Sequence, residues 1–141
     1  MVSMLRSSTI RALLLLAPLA AACGDDNVTS GPSPQEPVAV TEQFNESLNP
    51  NGGRTYPFIV QQAGSVIARL SALSPDDTVT VGLSLGTWNG QVCQIILAND
   101  AALLNTSITG TAQQTGQFCV RVYDIGKLTA STDFTVDITH F

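Results

Sequence analysis

The chain has 141 residues, room for one domain of ordinary size plus appendages. Lys+Arg total 6 against 11 Asp+Glu, a net charge of −5, so no basic stripe exists to replace phosphate counterions, and nucleic acid is excluded as an expected partner. Apolar residues make up 44%, too many for wholesale disorder. A single His (His140) and three Cys leave little material for a transition-metal site or a His-based catalytic centre.

The amino terminus reads as an address. Arg6 and Arg11 are its two cations and no acid accompanies them. Ala12–Ala22 is an uncharged apolar run of 11 residues that ends in small side chains before Cys23. A cationic region, a short apolar region and small residues before a cut describe a secretory signal peptide over residues 1–22. The run is too short for a transmembrane helix, which needs roughly 20 apolar residues. Leu19-Ala20-Ala21-Ala22-Cys23 resembles a bacterial lipobox, with Cys23 as the residue that receives a diacylglycerol, although Ala20 stands where Leu is usual. The alternative is ordinary signal cleavage near Ala22, leaving Cys23 a free thiol. Two or three acyl chains hold a protein stably on a membrane where one holds it only marginally. By resemblance to lipoprotein sorting in Gram-negative bacteria, Gly24 after the Cys implies transfer to the outer membrane, on its periplasmic or cell-surface face. Cleavage before Cys23 leaves Arg54, Arg69, Arg121 and Lys127 against all 11 acids, a net of −7. A protein so charged stands off from an anionic membrane.

Residues 23–40 form the linker. Pro32, Pro34 and Pro37, with glycines and small polar residues, cannot build a core. Extended at about 3.1 Å per residue, this spacer reaches on the order of 50 Å and lifts the folded part, residues 41–141, off the lipid.

From Thr41 the hydrophobic period becomes two. Phe44 and Leu48 share one parity of a first strand, and Asn49–Gly53 is a turn cluster. Tyr56, Phe58 and Val60 alternate next, with Pro57 pointing to an edge or outward position. After Gln62-Ala63-Gly64, the residues Val66, Ala68, Leu70 and Ala72 alternate until Ser74-Pro75-Asp76-Asp77. Val79, Val81, Leu83 and Leu85 form the cleanest strand, and Trp88-Asn89-Gly90 reads as a hairpin turn. Val92–Ala98 is continuously apolar, Asn99-Asp100 reads as a break, and Leu103–Thr109 is a weaker strand. The segment Asn99–Asn105 also allows one helical turn. Phe118, Val120 and Val122 alternate, then Phe134, Val136 and Ile138. Eight short strands with regular turn signals and no helical period predict an all-β fold, an antiparallel β-sandwich or small barrel. With Cys23 set aside, Cys93 and Cys119 are an even pair in an oxidising compartment, and a disulfide between them is expected. It should contribute about 3–4 kcal/mol in the chain-entropy model.

Phe44–Val60, with its strand ending in Leu48, its Gly-rich turn and its Tyr56-Pro57-Phe58-Ile59-Val60, resembles the opening of the bacterial pre-peptidase C-terminal-like domain. Gly64–Leu70 is similar to that family's third strand, Gly116–Asp124 to its Gly-x-Tyr-x-Val-x-Val strand, and Asp133–Ile138 to its last strand. The resemblance covers about Thr41–Phe141; Phe118 replaces the common Tyr, and the cysteine pair is an addition. It implies a jelly-roll β-sandwich that serves attachment and sometimes binds calcium, usually beside a secreted hydrolase. Here a lipid anchor takes the place of the enzyme.

Candidate sites follow. Trp88 and Asn89, with Tyr123, form an aromatic rim that can stack on a protein or polysaccharide ligand, although Trp88 can equally cap the core. Asp76, Asp77, Asp100 and Asp124 fall at strand-end turns, where a hard cation such as calcium takes its oxygens, but Asp is also a favoured turn residue. No catalytic residues are expected. Gly82-Leu83-Ser84-Leu85-Gly86 matches a nucleophile elbow in letters only, inside an alternating strand, and His140 lies next to the C-terminus where fraying is normal. The expected function is a lipid-anchored envelope protein with a non-catalytic binding sandwich. The alternative is a structural envelope lipoprotein with no dedicated ligand.

Overall fold

The computed structural model describes Gly31 and residues 36–141. The leader, Cys23 and most of the linker lie outside the described residues.

Eight strands form, in the order the sequence pattern predicts: β1 (Val40–Leu48), β2 (Gly53–Val60), β3 (Gly64–Ser74), β4 (Val81–Trp88), β5 (Cys93–Ala102), β6 (Ser107–Ala112), β7 (Gly116–Tyr123) and β8 (Thr132–His140). They make two four-stranded antiparallel sheets, ordered β1-β8-β3-β6 and β2-β7-β4-β5. This is the strand order of a jelly roll. Only β4 and β5 form a hairpin within one sheet; every other connection crosses between sheets. Apart from β5, which buries only Ala102, the strands send alternate side chains between the layers, among them Leu48, Phe58, Leu70, Leu83, Val122 and Phe134. The opposite parity faces out, as the pleat requires. β2 is an edge strand, and Pro57 is exposed on it, so the missing N–H of proline weakens no central ladder.

Three local readings of the sequence are corrected. In β3 the register shifts between Leu70 and Ala72, so Ala72 is exposed and Leu73 is buried instead. Asn99-Asp100 does not end β5. The strand absorbs an extra residue there, the Asn99 Oδ1 accepts the Ala101 N–H at 2.8 Å, and pairing resumes at Ala102. No helical turn forms, and β6 begins at Ser107 rather than Leu103, which sits in a turn held by the Thr106 hydroxyl at 2.9 Å. His140 is not frayed. It is 4% exposed at the end of β8 and its Nε2 lies 2.9 Å from Glu42 Oε1, while the Phe141 carbonyl accepts the N–H groups of Gln61 and Gln62.

Cys93 and Cys119 are joined as a disulfide, with a Cα–Cα distance of 5.8 Å. The bond lies within the second sheet and passes over β4, which separates β5 from β7. Gly86 explains how it reaches. A Cβ there would overlap the Gln94 carbonyl oxygen and stand 2.9 Å from Ile95 Cα, so β5 folds closer over β4 than any side chain permits. A register shift between Leu85 and Gly86 accompanies this crossing.

Replacing Gly86 with Ala should cost about 3 kcal/mol through overpacking against backbone. Reducing the disulfide, which closes a sequence separation of 26, should cost about 3.5 kcal/mol by loop-closure entropy. Denaturant unfolding of oxidised, reduced and G86A protein measures both; a G86A midpoint equal to the parent would refute the close-crossing account.

Candidate ligand-binding site

The outer face of the second sheet is built from the residues that alternate with its core. On β4 these are Gly82, Ser84, Gly86 and Trp88; on β7 they are Cys119, Arg121 and Tyr123; on β2 they include Gly53 and Thr55. The small residues let the large ones lie flat. A Cβ on Gly82 would overlap the Tyr123 ring, and one on Gly53 would stand 2.9 Å from Arg121 Nη2. The Arg121 guanidinium carbon lies 5.2 Å from the centroid of the Tyr123 ring, a cation–π stack. The Tyr123 hydroxyl donates to Asp100 Oδ1.

Beside this stack is a cleft of about 310 Å³, lined by Gly53, Thr55, Trp88, Gln91, Val92, Cys93 and Arg121. Trp88 is the last residue of β4, paired with Cys93, rather than part of the turn. It is half-buried, lines the cleft and is not among the residues packed on the core. Asn89 has a different part from the one expected. Its Oδ1 accepts the N–H groups of Gln91 at 3.0 Å and Val92 at 2.9 Å, so it shapes the turn that carries those residues to the rim. Tyr123 shares the face with Trp88, and Arg121 stands between them.

Arg121, Thr55 and Gln91 were not singled out in the sequence. Arg121 carried a signal, as one of few cations in an acidic domain, set between Val120 and Val122 on the wet parity of its strand. Among the described residues its guanidinium makes no ion pair or hydrogen bond, whereas Arg54 lies 3.9 Å from Glu46 and Arg69 donates to Asn105 at 2.6 Å.

The four aspartates do not converge. Asp76 accepts the backbone N–H and hydroxyl of Thr78 at 2.9 and 2.6 Å, and those bonds, the side-chain one foremost, hold its carboxyl below the ordinary range. Asp77 is exposed and Asp100 holds Tyr123. Asp124 accepts four backbone N–H groups, from Asn51 at 2.7 Å and from Gly126, Lys127 and Leu128 at 2.9, 2.9 and 3.1 Å. Burial pushes its carboxyl up, and those four bonds together outweigh it and leave the group below its ordinary value. Among the described residues no three His, Cys, Asp or Glu side chains come together to hold a metal. Asp76 and Asp124 serve the turns that contain them.

Ser84 and His140 lie on different sheets, and the Ser84 hydroxyl faces the Arg121 carbonyl at 3.4 Å. A larger hollow of about 630 Å³ runs along the β1–β2 edge with Glu42 and His140 in its wall. Those two polar groups are already paired with each other. The smaller cleft offers a guanidinium with no ion pair or hydrogen bond to the described residues, which makes it the stronger candidate.

No protein-family model and no curated protein matches the chain. Among solved structures, it is similar to the mitogen from Yersinia pseudotuberculosis at a TM-score of 0.54 and 13% identity, over 74% of this chain and 88% of that one. It is also aligned with a periplasmic inhibitor of g-type lysozyme from Aeromonas hydrophila at a TM-score of 0.48 and 16% identity, over 71% of this chain and 87% of that one. The first likeness is one of fold alone. The chain is thus an all-β protein of two packed antiparallel sheets.

Tyr123 gives the face a pH signature. Burial, then the hydrogen bond and charge of Asp100, push its phenol up to about 12 against a smaller opposing effect of Arg121. A raised phenol favours the protonated folded state, so this contribution is complete below the unfolded value of about 10 and is lost as pH rises from there towards 12. Tyr123→Phe should flatten the alkaline decline in stability. An unfolding series across that range checks it, and an unchanged decline would refute the Tyr123–Asp100 account.

Proposed function

We propose that this protein is a lipid-anchored envelope protein whose jelly-roll sandwich is a non-catalytic binding module, docking a protein or glycan partner through the outer face of its second sheet. The observation that carries this reading is the cleft in which the half-exposed Trp88 and the unpaired Arg121 stand together. Pockets for small ligands begin at about 300 Å³, and this one sets Trp88 and Val92 beside the polar side chains of Thr55, Gln91 and Arg121. The disulfide and the hairpin turn hold the walls in place before a ligand arrives, which lowers the ordering cost of binding.

The anchor rests on Cys23 and its lipobox-like approach, and outer-membrane sorting on Gly24. Those residues support an extracytoplasmic protein on a spacer of residues 23–40. The resemblance to the pre-peptidase C-terminal-like domain agrees with an attachment module, here tied to lipid rather than to an enzyme. A second reading, a structural lipoprotein that packs against a neighbour, is favoured by β5. This edge strand leaves Ile95, Ile96 and Leu97 exposed at 45%, 66% and 38%.

Mass analysis of the membrane-extracted protein should find diacylglycerol on Cys23, and Cys23→Ser should move the protein to the soluble fraction. A photo-cross-linking residue at Gln91 should capture one partner in intact cells, lost on Trp88→Ala, while the same residue at Gln43 on the opposite sheet should not. Equal capture at Ile96 and none at Gln91 would replace the binding reading with the packing one.

A further inference from the structure

We infer that the cleft beside Trp88 takes a carboxylate-bearing saccharide, with Arg121 on the carboxylate and Trp88 against the sugar ring. This deepens the binding reading above and rests on it.

The chemistry comes from what each wall offers. The guanidinium of Arg121 presents planar N–H donors, and such a fork matches a carboxylate by two parallel hydrogen bonds. Stacking on Tyr123 holds the plane, and the guanidinium lies in close contact with Gly53. Asp100 accepts the Tyr123 hydroxyl and makes no ion pair with Arg121. The donors therefore remain open to the cleft. Trp88 adds a flat apolar surface, which pairs with the C–H face of a pyranose, and Thr55 and Gln91 add side chains suited to hydroxyl groups. A volume of about 310 Å³ fits about one or two sugar rings and is small for the broad patch that a protein interface needs. Net charge sharpens the point. With a net of −5 the chain has no general attraction for polyanions, so an acidic ligand must be held by a local cation.

The chain has one tryptophan, so fluorescence excited at the red edge, where tyrosine does not absorb, reports on this cleft. The full chain in detergent micelles is titrated with trigalacturonate and with its fully methyl-esterified form, in which each carboxylate is a neutral ester. Saturable binding of the acid, with the ester at least tenfold weaker, is the expected result. Arg121→Gln should abolish the preference while Arg121→Lys retains part of it, and melting curves confirm that each variant is folded. Thr55→Val, which leaves Arg121 and Tyr123 in place, should weaken acid and ester alike. Equal binding of acid and ester, or an Arg121→Gln variant that still prefers the acid, would overturn the carboxylate assignment and leave a glycan-binding face standing. No fluorescence response to either saccharide, together with a protein captured from Gln91, would overturn the saccharide and keep the face. Failure of both would remove the face itself.

Discussion

The close crossing of β5 over Gly86, locked by the Cys93–Cys119 disulfide, is the constraint on which the second sheet depends. A disulfide spans Cα atoms about 6 Å apart, whereas strands two places apart in a flat sheet are separated by roughly twice the 4.8 Å spacing. Here the distance is 5.8 Å, so the sheet must curl at its edge. The missing side chain of Gly86 lets the backbone of β5 come down that far. The curl brings the β4–β5 turn, with Trp88 and Gln91, beside Arg121 on the strand beyond β4. A flat sheet would leave the same residues on an open surface.

The two outer faces of the sandwich divide their tasks by how their polar groups are satisfied. On the first sheet, Thr41 meets Thr139 at 2.9 Å, Gln43 meets Asp137 at 2.8 Å, and Thr135 meets Asn45 at 2.6 Å. These cross-strand pairs close on themselves and present a wet surface with little left to offer a ligand. The second sheet uses glycine and serine beneath large side chains, so its groups lie flat and its guanidinium keeps its donors. Both faces are compatible with the same buried layer, because the pleat separates inward from outward residues completely.

Six of the strands were legible as alternation, β5 as a continuous apolar run and β6 as a weaker strand read from Leu103 instead of Ser107, and the disulfide was legible from parity of thiols and compartment. What alternation does not carry is the place of a strand in the sheet order. Val92–Ala98 is continuously apolar, yet β5 is an edge strand on which Ile96 is 66% exposed. Nor does it carry bulges. One extra residue near Ser71 turned Ala72 out and Leu73 in, and another made Asn99-Asp100 look like an end when the strand continues. Trp88 was readable as an aromatic at a turn. Its companions were not, because Gly53, Gln91 and Arg121 come from three separate segments, the first and last joined by the β2–β7 pairing and Gln91 brought in by the curl. Asn89 misled for a related reason: a polar side chain beside a tryptophan looks available, but its oxygen is consumed by the turn it builds.

An open guanidinium in a domain so rich in acid needs an explanation, since the cheapest fate for a cation is a nearby carboxylate. Tyr123 supplies one. Its hydroxyl occupies Asp100 while its ring face occupies one side of Arg121. The phenol thus stands between acid and base and stabilises each separately, which is why both act on its proton, Asp100 raising and Arg121 lowering its affinity. Gly82 is the condition for this, because any side chain there would lift the ring off the sheet. One glycine, one phenol and one carboxylate therefore keep a single cation facing the cleft instead of pairing within the fold. A sheet surface evolved only for solubility has no need of that arrangement, because an Arg–Asp pair in the same place would serve as well.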